Sequence, residues 1–445
     1  MKKVLILGAG MVSKPIITYL LDKGYFITVA TLIRSKAEEM LQGHPNSKAI
    51  AWDVENTGAL DAMVASHDLT VSLLPWVHHV LVAKYCIKHK KDMVTTSYVK
   101  PEMRALDQDA RDAGIIILKE LGLDPGIDHM SAMRIIDKIH ERGGKVEEFY
   151  SLCGALPAPE AASNPFKYKF SWSPKGVVMA ANNDGKYLRH GKIIKVPTGE
   201  LFKNPLVVNF PGVGNLEVYP NRDSLPYIDL YGIPETKTLY RGTFRYTGWC
   251  ETLDALKALK LVTNEKYDFS GKTYAEMLAM LIGEASAAKI KEKAARFLGL
   301  PSEAYAIKAL EWLGVFDQIN INRQTDSPFE ITSDLMIAKM EFGLEERDMV
   351  AMQHIFLASY PDGKKEVIKS SMLDYGTQAT DTAVARTVAL PAALGVELIL
   401  KGKIETKGIQ IPVIPAIYNP ILDALETLEI RMVEEFGLPE SENIQ

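Results

Sequence analysis

Residues 2–40 read KKVLILGAGMVSKPIITYLLDKGYFITVATLIRSKAEEM. "KVLILG" is a continuous apolar run, suited to a strand buried on both faces. "KPIITYLLDKG" has helical spacing and ends in Gly24, and "YFITVAT" reads as a second strand. A strand, a glycine turn, a helix and a strand in that order open a dinucleotide-binding fold. Two features depart from the usual fingerprint. Ser13 stands where the third glycine of G-x-G-x-x-G belongs, and residues 25–37 contain no acid.

The first departure is small. Ser13 adds little bulk at the helix–strand contact, and its hydroxyl can serve either the phosphates or the first turn. The second decides the cofactor. An NAD site places Asp or Glu about 20 residues after the first glycine to bond the ribose 2′-hydroxyl. Here Thr31, Arg34, Ser35 and Lys36 stand instead, two hydroxyls and two cations that suit a 2′-phosphate. NADP is therefore favoured over NAD, with solvation of the next helix start as the other use of Arg34 and Lys36.

Outward from this stretch the alternation continues. "AIAWDVEN", "LTVSLLP", "DMVTTS" and "GIIILKEL" read as strands three to six with helical stretches between most of them, implying an α/β, doubly wound parallel sheet. After about Val146 the pattern changes to longer polar and aromatic strands with many turns ("VEEFYSLCGAL", "KIIKVPTGEL", "LEVYPNRD", "TLYRGTFRY"), a mostly antiparallel or mixed sheet. "ETLDALKALKLV" begins a helix-rich block of about 90 residues, with "YAEMLAMLIGEASAAKIKEKAARFLG" read as helical throughout. "MVAMQHIFLAS" and "KKEVIKSSMLDYG" then flank the turn "YPDGKK" as two more strands. The expected organisation is a dinucleotide-binding domain over 1–124, a mixed-sheet domain over 125–252 and 345–384, a helical insertion over 253–344, and a segment at about 385–445 returning to the first domain.

Bulk properties narrow the class. A chain of 445 residues exceeds one ordinary core, and 47% apolar with 24% charged residues is globular composition. A net charge of −5 with dispersed cations gives no nucleic-acid footprint. With no apolar run near ~20 residues and an amino terminus that enters a strand directly, a cytoplasmic protein without membrane partners is expected. Cys86, Cys153 and Cys250 are too dispersed for a disulfide framework or a thiolate metal site, and His78–His79 reads as a surface or helix-start pair rather than a metal site. A homodimer is the expected assembly for an enzyme of this size.

Several segments together resemble the saccharopine dehydrogenase family of the glutamate-forming type: "LILGAGMVSKPIITYL", "SLLPWVHH", "MVTTSYV", "GLDPGIDHM", "CGALPAPEAASNPFKYKFSWSPKGVV", "PNRDSLPYIDLY" and "YRGTFRYTGWCE". The resemblance implies a Rossmann domain joined to a mixed-sheet catalytic domain with a helical insertion. It also implies a reaction in which L-2-aminoadipate 6-semialdehyde and L-glutamate condense to an imine that NADPH reduces to saccharopine, or the reverse. By position and resemblance, Gly8, Ala9, Gly10, Met11 and Val12 serve the phosphates, and Thr31 and Arg34 the 2′-phosphate. Asp53 and Val54 would lie by the adenine, although an acid there can equally cap a helix. Leu74 and Pro75 would lie by the ribose, Thr96 and Ser97 by the nicotinamide ribose, and Leu123, Asp124 and Pro125 nearest the nicotinamide.

Saccharopine carries three carboxylates, which guanidinium forks hold well. Arg222 and Arg245 are the candidates, with Thr243 and Phe244 on the same wall and Ser97 and Tyr98 also facing substrate. An ion pair with Asp223 or Asp229 is the other reading of Arg222. Tyr98, Asp124 and Cys153 resemble the ionisable groups around the reacting carbon–nitrogen bond; for Cys153 packing is the alternative. His129 is expected to fix its loop or cap a helix rather than act as base. Two rivals are a carboxyspermidine-type imine-reducing dehydrogenase of polyamine metabolism and a non-catalytic NADP-binding protein.

Overall fold

A computed structural model describes residues 1–378 and 381–444. The chain opens with β1 (Lys3–Leu7), α1 (Lys14–Asp22), β2 (Phe26–Thr31), α2 (Arg34–Leu41), β3 (Ser47–Ala51), α3 (Thr57–Ser66) and β4 (Leu69–Ser72). It continues through α4 (His79–His89), β5 (Asp92–Val94), α5 (Pro101–Arg104), α6 (Asp107–Asp112), β6 (Ile116–Leu118) and α7 (Ile127–Glu141). Then come β7 (Lys145–Pro157), α8 (Pro174–Ala180), β8 (Gly185–Arg189), β9 (Lys192–Val196), β10 (Leu206–Phe210), β11 (Gly214–Pro220), α9 (Pro226–Leu230) and β12 (Thr238–Tyr246). A helical stretch holds α10 (Trp249–Ala258), β13 (Tyr267–Asp268), α11 (Tyr274–Leu281), α12 (Ile290–Leu298), α13 (Tyr305–Leu313), β14 (Thr325–Asp326) and α14 (Pro328–Lys339). The chain ends with β15 (Asp348–Ser359), β16 (Lys365–Tyr375), α15 (Ala383–Leu400), β17 (Gly408–Gln410), α16 (Pro415–Thr427) and β18 (Val433–Leu438).

Two compact units divide it. The first holds 1–144 and 370–434, the second 145–369 and 435–445. In the first unit a seven-stranded sheet runs β17-β6-β5-β4-β1-β2-β3, every pairing parallel. This is the doubly wound order, and it reverses between β1 and β4, where open sheets of this kind take ligands. Val4, Leu5, Ile6 and Leu7 of β1 are wholly buried, as a strand covered on both faces must be. The edge strand β17 pairs with β6 in register Ile409↔Ile117, although almost 300 residues separate them.

Helix α15 is 18 residues long with a mean hydropathy of 1.7, enough by length and composition to cross a membrane, yet 72% of it is buried inside the protein. It is a core helix packed on α1, and Gly395 lets it come close to the chain that follows β6, because a Cβ there would stand 2.2 Å from Leu121 Cδ2.

The second unit is built on a nine-stranded sheet, ordered β10-β11-β12-β7-β15-β16-β18, with β8 attached to β12 and β9 to β8. It is mixed: β12 pairs with β7 in parallel, while β7–β15, β11–β12 and β10–β11 are antiparallel. The stretch from Tyr274 to Gly299, read from sequence as helical throughout, is two helices; Gly283 at φ +77° and Lys289 at φ +54° break it between α11 and α12.

Candidate functional site

The glycine turn between β1 and α1 is shaped by two hydrogen bonds of Ser13. Its hydroxyl accepts from Gly10 N–H at 3.0 Å and donates to Gly8 C=O at 3.3 Å, and the side chain is wholly buried. Of its two sequence-level roles, the structure shows the turn-closing one. Gly8 sits at φ +105°, and a Cβ there would lie 3.1 Å from Leu73 C=O, so only glycine fits without strain. Gly10 is exposed, with open space where a Cβ would stand. Ala9 is buried, Val12 half-buried and Met11 54% exposed, and the first N–H groups of α1 face this turn.

The neighbouring strand ends complete the set. Thr31 closes β2, and Arg34 opens α2, where it pairs with Glu38 at 2.8 Å in a geometry that leaves both side chains more than half exposed. Between them Leu32 and Ile33 are exposed. Past β3, Asp53 is exposed and its Oδ1 accepts from Glu55 N–H at 3.0 Å; the cap of α3 is Asn56, whose Oδ1 accepts from Ala59 N–H at 3.1 Å. Val54 is half-buried against the core. After β4 come half-buried Leu74 and exposed Pro75, and Leu74 C=O accepts from Nε2–H of His79 at 2.9 Å. His79, expected at the surface or a helix start, is the first residue of α4 and is buried. An open glycine cradle beside a β2 end with a cation and no acid fits a phosphorylated dinucleotide.

A second group gathers after β5 and β6. The Tyr98 hydroxyl donates to Asp124 Oδ1 at 2.7 Å, so two of the three expected catalytic residues touch. Asp124 and Pro125 are joined by a cis peptide within a tight turn: Gly122 N–H donates to Pro125 C=O at 2.9 Å, and Gly126 at φ +149° leaves no room for a Cβ, 2.0 Å from Gly122 C=O. Leu123 is buried, and Thr96 packs against Gly122. Ser97 C=O accepts from Glu120 N–H at 3.3 Å.

Glu120, which the sequence did not single out, joins the two loops. One carboxylate oxygen accepts from Val99 N–H at 2.7 Å and the other bonds His129 Nε2 at 2.8 Å. His129 thus anchors a loop. No local pattern marks Glu120, whose φ of +57° aims its side chain.

In the second unit, register aligns the remaining candidates. Thr243 of β12 stands opposite Cys153 of β7 and Tyr219 of β11, so Arg241, Thr243 and Arg245 share one face with Cys153 and Tyr219. Phe244 faces the other way. It is wholly buried, its ring 5.6 Å edge-on from Phe210, and Gly154 makes room for it; it is core, not the wall expected beside Thr243.

Arg245 is 4% exposed, with its guanidinium among the rings of Tyr168 (4.9 Å), Trp249 (5.2 Å) and Tyr219 (5.8 Å). Its Nη1–H donates to Phe244 C=O at 2.7 Å, while Nε has no protein partner among the described residues. Across from it, Glu217 accepts from Gly248 and Cys250 N–H at 3.0 Å each, holding the start of α10 and hence Trp249. Arg222 lies in the exposed loop after β11 at φ +58°; Asp223 pairs with Lys186 at 2.9 Å. Arg241, Tyr168 and Glu217 were absent from the sequence-based set, though alternation in "RGTFR" puts Arg241 and Arg245 on one face. Cys153 is 8% exposed.

Comparison with known proteins gives two family matches that cover most of the chain. Residues 4–118 match the model described as saccharopine dehydrogenase NADP binding domain, and residues 122–430 the saccharopine dehydrogenase C-terminal domain. The chain is 37% identical over 448 residues to the Schizosaccharomyces pombe protein named saccharopine dehydrogenase [NADP(+), L-glutamate-forming], covering 98% of this chain and 99% of that one. It is 39% identical over 435 residues to the mitochondrial alpha-aminoadipic semialdehyde synthase of Bos taurus, covering 96% of this chain but 47% of that protein, so it spans about half the length of the mammalian relatives it matches. The solved apo saccharopine dehydrogenase (L-Glu forming) of Saccharomyces cerevisiae superposes with a TM-score of 0.90 at 34% identity, over 98% of this chain and all of that one. The chain belongs to the saccharopine dehydrogenase family.

Proposed function

We propose that this protein interconverts saccharopine with L-glutamate and L-2-aminoadipate 6-semialdehyde, using NADP(H), in lysine metabolism. The near-complete match to fungal proteins of that name, 36–37% identical along 96–100% of this chain, carries the reading. In the oxidative direction saccharopine and NADP⁺ go to an imine and NADPH with loss of a proton, and water then splits the imine into the amino acid and the aldehyde. The nicotinamide supplies or takes the hydride.

The chain's residues do the rest. Gly8, Ala9, Gly10, Met11 and Val12 offer backbone to the pyrophosphate, while Thr31 and Arg34 hold the 2′-phosphate. Asp53 and Val54, Leu74 and Pro75, Thr96 and Ser97, and Leu123 and Pro125 line the remainder of the cofactor. Tyr98 and Asp124, sharing one hydrogen bond, hold a proton beside the reacting nitrogen, and the Asp124 carboxylate favours the cationic secondary amine. Arg245, pre-aimed by its three aromatic rings, and Arg222 take substrate carboxylates, with Thr243, Ser97 and Cys153 beside the substrate. A cytoplasmic homodimer belongs to the same reading, and cell fractionation and sedimentation check it.

The test is turnover. Saccharopine with NADP⁺ should yield NADPH and glutamate, and Tyr98→Phe should lower kcat by about 10²-fold or more with cofactor affinity unchanged. Arg245→Glu should abolish saccharopine use; turnover of a polyamine in place of saccharopine by the unsubstituted protein would make the polyamine reading win. Intact NADPH binding with no turnover in either direction would sink the enzyme reading.

A further inference from the structure

Lys119, the residue after β6, is 1% exposed, yet it lines a pocket of about 330 Å³ in the first unit. The pocket's walls are mainly apolar, from Trp76, Val77, Val80 and Met103. The ammonium has three donors. Among the described residues its one side-chain hydrogen bond is a long one, 3.4 Å to Nδ1 of His79. His79 donates Nε2–H to Leu74 C=O at 2.9 Å, so its Nδ1 offers a neutral lone pair and no countercharge. A buried amine beside a mainly apolar cavity, with no carboxylate bonded to it among the described residues, is the arrangement that activates lysine as a nucleophile.

We propose that Lys119 is a carbonyl-reactive amine and that this pocket takes small aldehydes as imines on its Nζ. The neutral amine adds to the carbonyl carbon, forming the carbon–nitrogen bond while the carbonyl oxygen takes up a proton. The carbinolamine then expels its hydroxyl as water, leaving C=N–Lys, and no oxidant or reductant is consumed. Burial lowers the Lys119 ammonium to about 8, and burial together with the nearby Lys119 charge lowers His79 to about 4. The other charged or titratable groups around the pocket are Tyr98 after β5, Lys100 and Glu102 at the start of α5, His78 before α4, and Glu120, whose carboxylate is held by Val99 N–H and His129. Of these, Glu120 acts on Lys119 in the opposite sense, raising it, and burial outweighs it.

The experiment is reductive trapping on the full chain with propanal and cyanoborohydride, followed by peptide mass mapping across pH 6–9. A lysine titrating near 8 is roughly a tenth neutral at pH 7, against well under a thousandth for an ordinary lysine. Propyl addition at Lys119 should therefore run about tenfold or more ahead of exposed lysines such as Lys364, and should level off above about pH 8. In Lys119→Arg the fast addition should vanish.

Labelling of Lys119 no faster than of Lys364, or fast labelling that persists elsewhere in the variant, overturns the proposal. The wild-type map decides even if the variant fails to fold. No cofactor or turnover enters the assay, so its failure leaves the proposed function standing, and the reverse holds.

Discussion

Arg34 is tied to Glu38 by an exposed pair one helical turn apart, the kind worth about 0.3–0.5 kcal/mol. Such a tie is cheap to break, so a 2′-phosphate arriving at the end of β2 competes for the guanidinium at little cost. With no acid at residues 25–37, Arg34 and Lys36 are the charges that discriminate, and Arg34 stands nearer the end of β2. Arg34→Asp should therefore lower kcat/KM for NADP by about 10²-fold while leaving or improving that for NAD, since a carboxylate repels a phosphate dianion and accepts from a ribose hydroxyl. Steady-state kinetics with the two cofactors reads this directly. An unchanged NADP/NAD ratio would remove Arg34 from the phosphate site and leave it as the solvated start of α2.

At the scale of elements, the turn between β1 and α1 separates two uses of glycine. Gly8→Ala meets both a left-handed backbone and Leu73 C=O at 3.1 Å, and should cost about 1–3 kcal/mol in thermal or urea unfolding. Gly10→Ala meets open space; it should melt like the parent and lose affinity for NADPH instead. If both substitutions destabilise alike, the cradle is structural only.

The same turn shows what a sequence makes legible. β1, α1 and β2 were readable because burial on both faces and helical spacing leave local signatures, and the mixed second sheet was readable from its strand composition. β17 was not, since three residues carry no periodicity and their partner β6 lies almost 300 residues away. The break between α11 and α12 was missed because Gly283 sits inside a continuous helical composition. For the site, Tyr98 and Asp124 were named by family resemblance and the structure joins them, but Glu120 needed a backbone turn that composition does not encode. Phe244 was placed beside Thr243 against the two-residue period of a strand, and that period wins.

On the scale of the molecule, the first unit is completed by chain that returns after the second. Residues 383–427 bring α15 onto α1 and β17 onto the sheet edge, and polar bonds hold them there. The Tyr19 hydroxyl donates to Glu397 at 2.6 Å, and Lys401 pairs with the same carboxylate. Asp107 accepts from Ile409 N–H at 2.6 Å, and Arg104 donates to Ile409 C=O at 3.0 Å.

Burial pushes both carboxyls up, but the hydrogen bonds outweigh it, from Lys401 and Tyr19 at Glu397 and from Ile409 N–H and Arg111 at Asp107, so both lie below the usual carboxylate range. A depressed folded-state value means the unfolded chain binds protons first as pH falls. The stabilisation is then complete above about pH 4.5 and is lost as pH drops through the folded values. Acid should consequently loosen the returning segment, and hydrogen exchange over residues 383–427 should accelerate below about pH 4 ahead of β1 and β4. Glu397→Gln and Asp107→Asn should each cost about 1–3 kcal/mol at pH 7 and flatten the acid limb of the stability curve. An acid limb as steep in the double variant as in the parent would place the responsible carboxylates elsewhere, because two groups that no longer titrate cannot supply protons to the linkage.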